Sequence, residues 1–260
     1  MSNYANPKCY AASIKGCSRK ITREHFVSDA VLRIIGSDGL VMTAGLPWQK
    51  TSNGEKLPIN QLASNILCDA HNSILSPLDD EAVRLFRFLQ PFWRGTQTAS
   101  NSSISADGRL LELWMLKTLC GFLASKNSPS HNRADSTLWV PPDWWIEVLF
   151  KKIPIHATVG LYFYGGGPPH TEQSGPSGFG YSPLSQQGLG VYGAIMSLYS
   201  AQFIFAMAQP PATMTGTLLE HATFHPSKIS FADGRFLNEL NLTWGGAKAG
   251  RAIIIRHNRS

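Results

Sequence analysis

Three of the four cysteines in the chain, Cys9, Cys17 and Cys68, fall with His71 in two short polar stretches, Cys9 to His25 and Asn65 to Asn72. Thiolate sulfur and imidazole nitrogen are the donors that structural Zn²⁺ prefers, four of them in a tetrahedron. Cys68 and His71 are separated by two residues, an ordinary knuckle spacing. Cys9 and Cys17 flank a turn at Lys15-Gly16 with a gap longer than the roughly two to four residues usual for such pairs. A Cys₃His zinc staple of Cys9, Cys17, Cys68 and His71 closes from these residues. The competing reading is three buried free cysteines and a surface histidine, because unoxidised Cys is among the most buried residue types. Glu24, His25 and Asn72 stand beside the four donors, so a staple would gather a carboxylate, an imidazole and an amide into one neighbourhood.

The run Cys17-Ser-Arg-Lys-Ile-Thr-Arg-Glu-His25, followed by Cys68-Asp-Ala-His71-Asn72 and Leu75-Ser-Pro-Leu-Asp79, resembles the zinc-stapled HNH endonucleases. Their ββα-metal motif sits in a treble-clef-like frame, and the likeness covers about residues 9–90. The resemblance implies that His25 is the general base and that Glu24 and Asn72 hold a catalytic Mg²⁺ or Mn²⁺. Cys9, Cys17, Cys68 and His71 would then be the structural zinc site. Two positions depart from the family pattern: Glu24 stands where many members carry Asp, and the middle Asn has no match in register, with Asn60 and Asn65 as the nearest residues.

These residue types suit phosphodiester hydrolysis on chemical grounds as well. A neutral histidine with a pKa of about 6.5 can deprotonate water near neutrality, and a hard divalent cation takes oxygen ligands such as Glu and Asn. Arg19, Lys20 and Arg23 would collect the substrate backbone, with DNA favoured over RNA. Strand alternation sends Glu24 and His25 to opposite faces unless a bulge or twist intervenes, so a distorted strand is expected there. The alternative function is a catalytically inactive zinc-binding module that contacts nucleic acid or protein.

Composition bounds these readings. A chain of 260 residues with 43% apolar and 15% charged residues can bury a sizeable core. Its net charge of +6 suits a polyanionic partner without establishing one. The basic residues Lys8, Lys15, Arg19, Lys20, Arg23 and Arg33 crowd the first part of the chain against Glu24 and Asp29. A second basic group, Lys248, Arg251, Arg256 and Arg259, follows Glu239 and reads equally well as a solvated end. Four cysteines are too sparse for a disulfide scaffold. No secretory apolar core follows Met1, and no apolar run reaches membrane-spanning length. The expectation is a cytoplasmic protein with no membrane association, and a small bacterial or phage-related defence nuclease would fit.

The remaining elements must position the cluster. Val27 to Ile35 has helical spacing, and residues 40–60 read as an inserted hairpin. Ser76 and Pro77 suit a helix start, with Asp79 and Asp80 at its positive dipole end and an apolar stripe of Leu78, Ala82, Leu85, Phe86 and Leu89. Pro91 is expected to end that helix. The polar run 95–107 reads as a linker between a domain at 1–94 and one at 108–260. Leu110 to Ala124 is a buried helix with Cys120 as a core residue. A further helix opens near Asp143, and its tryptophans are expected to pack rather than stack on bases. Strands are expected around Val159–Phe163, in two arms within Val191–Ala208, and at Lys228–Phe231, Glu239–Trp244 and Ala252–Ile255. The stretch Gly165 to Gly190 is read as a mobile loop, a lid or an assembly surface. The fold class is therefore α+β: an N-terminal zinc-bound ββα-metal module followed by a helix-plus-antiparallel-sheet domain. Residues 108–260 would serve target choice, self-association or a protein partner.

Overall fold

The computed structural model describes residues 3–49, 54–98, 101–125, 141–151, 153, 155, 159–164, 178–186, 190–198, 201–208, 222–233 and 235–256. It is a mixed α+β structure with four α-helices and several sheets among the described residues. Strand β1 (Ile21–His25) pairs antiparallel with β4 (Ala63–Cys68), and β4 leads directly into the long helix α2 (Asp69–Arg94). Between the paired strands the chain forms helix α1 (Asp29–Ile35) and the hairpin β2 (Leu40–Ala44) and β3 (Glu55–Pro58).

Helix α2 starts seven residues before Ser76, and both Pro77 and Pro91 lie inside it. Cys68 is extended and serves as the N-cap, so the strand passes into the helix without a loop. Pro91 removes one backbone donor without stopping the last turn, because Phe92 and Trp93 beyond it are buried against Phe231. The helix ends where Gly95 takes φ 69°, a left-handed C-terminal conformation that glycine adopts without steric cost.

The stretch expected as a linker contains strand β5 (Asn101–Asp107), which pairs in parallel with β12 (Leu237–Thr243). Its sequence, NSSISAD, carries too little apolar character to signal a strand. The remaining strands are β6 (Gly160–Tyr164), β7 (Gly178–Gln186), β8 (Gly190–Leu198), β9 (Ala201–Ala206), β10 (Ala222–Phe224), β11 (Lys228–Ala232) and β13 (Ile253–Arg256). They form a seven-stranded sheet in the order β10-β6-β9-β8-β7-β2-β3 and a four-stranded sheet in the order β13-β11-β12-β5. The expected antiparallel sheet is thus corrected to two mixed ones, with parallel pairs at β2·β7, β11·β13 and β12·β5. Strand β7 also occupies much of the Gly-rich stretch read as a loop; residues 165–177 and 187–189 lie outside the described residues.

Helix α3 (Gly108–Ala124) runs through the middle, beside α4 (Asp143–Lys151). Asp107 caps it by accepting from the backbone N–H groups of Arg109 and Leu110. Nearly every residue of α3 is buried, including Cys120, as expected for a helix apolar on all sides. Phe122 packs at 4.3 Å from Tyr181 of the large sheet and at 5.1 Å from Phe26 just beyond β1. The sheet is buried on both faces: Leu161 and Phe163 of β6 join the main core, while Tyr162 and Tyr164 join a second apolar cluster. Trp145 is buried and Trp144 is half exposed, while Trp139 lies outside the described residues.

Two charged residues interrupt the apolar surface of α3. Glu112 and Lys117 are five positions apart, about 140° around a helix of 3.6 residues per turn, so they face different neighbours. Glu112 accepts from Arg109, from the Leu161 backbone N–H and from His225, whose Nε2 lies 2.7 Å away. His225 is stacked between Phe224 and Trp244. The Glu112 carboxylate is therefore fully partnered and ties α3 to the sheets. Lys117 faces β1 and α2.

Candidate metal centre and adjoining cleft

The four expected zinc donors converge. Cys9, Cys17, Cys68 and His71 are all buried, and their donor atoms lie within 4.8 Å of one another. His71 Nδ1 stands 3.4 Å from Cys9 Sγ, 3.7 Å from Cys17 Sγ and 3.4 Å from Cys68 Sγ. Tetrahedral zinc bound at its usual Zn–S and Zn–N lengths separates sulfur from nitrogen by about 3.5 Å, so the donor set fits that ion. The cluster is consistent with zinc.

Local backbone explains how distant residues reach one point. Cys68 is the last residue of β4 and His71 lies in the first turn of α2, so strand end and helix start present their side chains together. The Cys68 backbone N–H donates to Cys9 Sγ at 3.4 Å. Lys15 and Gly16 both take positive φ, 60° and 76°, in the turn that carries Cys17. The Lys15 carbonyl accepts from the His71 ring, which leaves Nδ1 as the free ring nitrogen facing the three sulfurs. Ser18 Oγ accepts from the Ala70 backbone N–H, and Asn6 Nδ2 donates to the Ser18 and Arg19 carbonyls. Burial pushes the Cys9 thiol up to about 12 and lowers the pKa of His71. Burial opposes ionisation of Cys68 as well, but hydrogen bonds from the His71 and Ser18 backbone lower its pKa, and a bound metal would favour the thiolate form throughout the cluster.

The second part of the expected constellation also comes together. Arg23, Glu24, His25, Ser28, Asp29, Asn72, Ser76, Asp79 and Lys117 line an open cleft of about 280 Å³. A register shift does occur in the strand pair, but between Thr22 and Arg23, ahead of Glu24 and His25 rather than between them, and it leaves Ile66 of β4 as the extra residue. The Ile66 carbonyl accepts from the Tyr10 backbone N–H, fastening the bulge to the segment that carries Cys9. Neither Asn60 nor Asn65 lines the cleft. Asn60 is exposed, and its carbonyl accepts from the Arg23 guanidinium. Asn65 is also exposed and pairs with Arg23 across the strands.

The cation of this cleft comes from the chain itself. Lys117 Nζ donates to Glu24 Oε1 at 2.7 Å and to the two oxygens of Asp79 at 2.7 and 2.6 Å. Its side chain is 3% exposed. Burial opposes the Lys117 charge, but attraction to Glu24 and Asp79 outweighs it and holds the ammonium above its usual pKa. Burial moves Glu24 the other way, above the ordinary carboxylate value, although Lys117 and a hydrogen bond from Asn72 pull it down. Asn72 Nδ2 also donates to Thr22 Oγ1 at 3.2 Å. Ser28 Oγ donates to Asp79 and accepts from Trp114 Nε1 at 2.7 Å, so Asp79 is held from the core side.

At Glu24 and Asn72, where the family resemblance implies a divalent-metal site, Lys117 Nζ lies on Glu24 Oε1 and the Asn72 amide bonds to Glu24 and Thr22. Mg²⁺ binds oxygens at about 2.0–2.1 Å. An ion reaching both carboxylates would take the place of Lys117 Nζ, which already satisfies their facing oxygens.

His25 is half-buried at the end of β1. Its Nε2 lies 3.5 Å from Asp29 Oδ1, beyond a good hydrogen bond, while Asp29 makes a two-pronged pair with Arg33. Burial lowers the His25 pKa, with Arg23, Arg33 and Lys117 acting in the same direction and Asp29 opposing. The native state thus favours neutral His25. The sign for stability follows: the contribution is present above about pH 6.5, the unfolded value, and is lost as pH falls through the lower native value. Proton-detected NMR titration is expected to place the His25 midpoint below 6.5, and Arg33→Ala is expected to raise it. A wild-type midpoint above 6.5 would contradict this account.

The expected backbone-gripping residues differ in their surroundings. Arg23 lies at the cleft, Arg19 is exposed, and Lys20 sits 3.6 Å from Asp69. Lys117 and Ser28 were not expected as cleft residues, and Asp79 was read only through its place near a helix start. The available signal was a lone lysine in the apolar run LLELWMLKTLCGFLA. Its carboxylate partners are distant in sequence, so no spacing rule points to them.

No family model matches the chain, and neither the curated proteins nor the solved structures contain a match. No helix among the described residues is long and apolar enough to cross a membrane.

Proposed function

We propose that the chain is an HNH-type nuclease that hydrolyses nucleic-acid phosphodiester bonds, with His25 as general base and a structural zinc at Cys9, Cys17, Cys68 and His71. One observation carries the reading: Glu24, His25 and Asn72 meet in an open cleft on two antiparallel strands followed by a helix, beside the Cys₃His cluster. With Nε2–H turned toward Asp29, Nδ1 becomes the basic nitrogen of a neutral imidazole. Water would give a proton to His25 and add to phosphorus, the bond to the leaving oxygen would break, and that oxygen would take up a proton from solvent. Arg23 at the cleft and exposed Arg19 suit a phosphate backbone. DNA remains the favoured polymer, and a cytoplasmic setting is part of the proposal.

Lys117 favours a second reading, a zinc module that binds nucleic acid or protein without cutting. An ammonium that satisfies the carboxylates stabilises the fold whether or not chemistry occurs. Incubation of zinc-loaded protein with supercoiled plasmid, single-stranded DNA and RNA, with Mg²⁺, with Mn²⁺ and with neither, separates the two. Cleavage of any of them supports the nuclease. Binding without cleavage under every condition leaves the module.

A further inference from the structure

We infer that Lys117 Nζ is the resident cation of the cleft and takes the place of a divalent metal ion there. The three ammonium protons of lysine find three carboxylate oxygens, Glu24 Oε1, Asp79 Oδ1 and Asp79 Oδ2, all at 2.6–2.7 Å. The side chain reaches this point from α3, whose position is fixed by the packing of Phe122 on one face and the Glu112 contacts on another. The oxygens are held as well: Asp79 accepts from Ser28, which in turn accepts from the buried Trp114.

Charge and space lead to the same conclusion. The lining carries three carboxylates, Glu24, Asp29 and Asp79, against Lys117 and Arg23, and Arg33, paired with Asp29, brings the sum to zero. A divalent ion would meet a site already neutralised, and it would have to expel a lysine that is 3% exposed. The cleft therefore carries its own counter-ion for Glu24 and Asp79, and cation recruitment from solution is not part of its design. Lys117 is a positioning residue for Glu24 and Asp79. The inference rests on the carboxylate geometry and holds whether or not the chain cuts nucleic acid.

The test is Mn²⁺ binding to full-length, zinc-loaded protein. Electron paramagnetic resonance measures free Mn²⁺, and paramagnetic broadening of the His25 ring signals reports an ion in the cleft. Wild type is expected to show no saturable Mn²⁺ site and no selective broadening of His25. Lys117→Gln and Lys117→Ala are expected to gain one saturable site, at least tenfold tighter than any wild-type binding, which added Asp79→Asn removes. Selective broadening of His25 at a saturable site in wild type overturns the inference. So does a Lys117 variant with native circular dichroism that gains no Mn²⁺ site. The wild-type measurement decides the matter by itself if both variants fail to fold.

Discussion

Cys68→Ser is expected to reduce bound zinc from one equivalent to near zero and to unfold the segment around it. Cys68 holds three positions at once: it closes β4, caps α2 and aims its sulfur at His71 from 3.4 Å. Structural zinc contributes on the order of 10 kcal/mol or more in small modules, comparable with the whole stability of an ordinary domain of about 5–15 kcal/mol. The segment before β1 carries Cys9 and Cys17 in loops, and apart from the metal it is held by the buried Ala11 and by hydrogen bonds such as that from the Tyr10 N–H to the Ile66 carbonyl. Loss should be uneven. The later part of α2 packs on α1 and α3 through Leu85, Phe86 and Leu89, independently of the metal. Elemental analysis with hydrogen exchange provides the check: protection should fall over residues 4–20 and 63–72 and persist in α3 and β8. Unchanged zinc content in Cys68→Ser would remove that residue from the site.

His25→Ala is expected to lower cleavage by about 10²–10⁴-fold, the usual contribution of a positioned general base, with zinc content and melting temperature nearly unchanged. The two effects separate because His25 makes no contact with the four donors, and its Nε2 has no hydrogen-bond partner among the described residues. Removing the ring leaves Glu24, Asp79 and Lys117 paired with one another. A variant that keeps wild-type cleavage would sink His25 as the base. Comparison with Cys68→Ser is informative, because that change should abolish cleavage through loss of the fold and His25→Ala through loss of chemistry alone.

The parts of this architecture that were legible in the sequence are those signalled by rare residue types or local period. Three cysteines and one histidine in polar turns announce a metal cluster because few other roles bring them there. Val31, Leu32 and Ile35 gave α1 away by helical spacing, and the turn near Gly54 marked the β2·β3 hairpin. Pro77 misled, because a proline acceptable at a helix start is also tolerated within a helix long enough to lose one hydrogen bond. Strand β5 was hidden by its serines, since its support comes from β12 more than a hundred residues away. The same limit applies to Lys117. A charge in an apolar helix can be recognised from sequence, whereas Glu24 and Asp79 become its partners only after β1, α2 and α3 pack.

The parallel pairing of β2 with β7 has a consequence for dissecting this chain. Met42, Thr43 and Ala44 align with Gly178, Phe179 and Gly180, so a strand from the first ninety residues is completed only by one from the last third. Severing the chain after Arg94 would strip that neighbour away and expose a row of unpaired N–H and C=O groups along β2. Such an edge is a template for intermolecular sheet growth. It would also uncover Phe86 where it meets Phe203. A fragment carrying the whole metal cluster and most of the cleft would thus be prone to aggregate, and it would lack the helix that delivers the lysine.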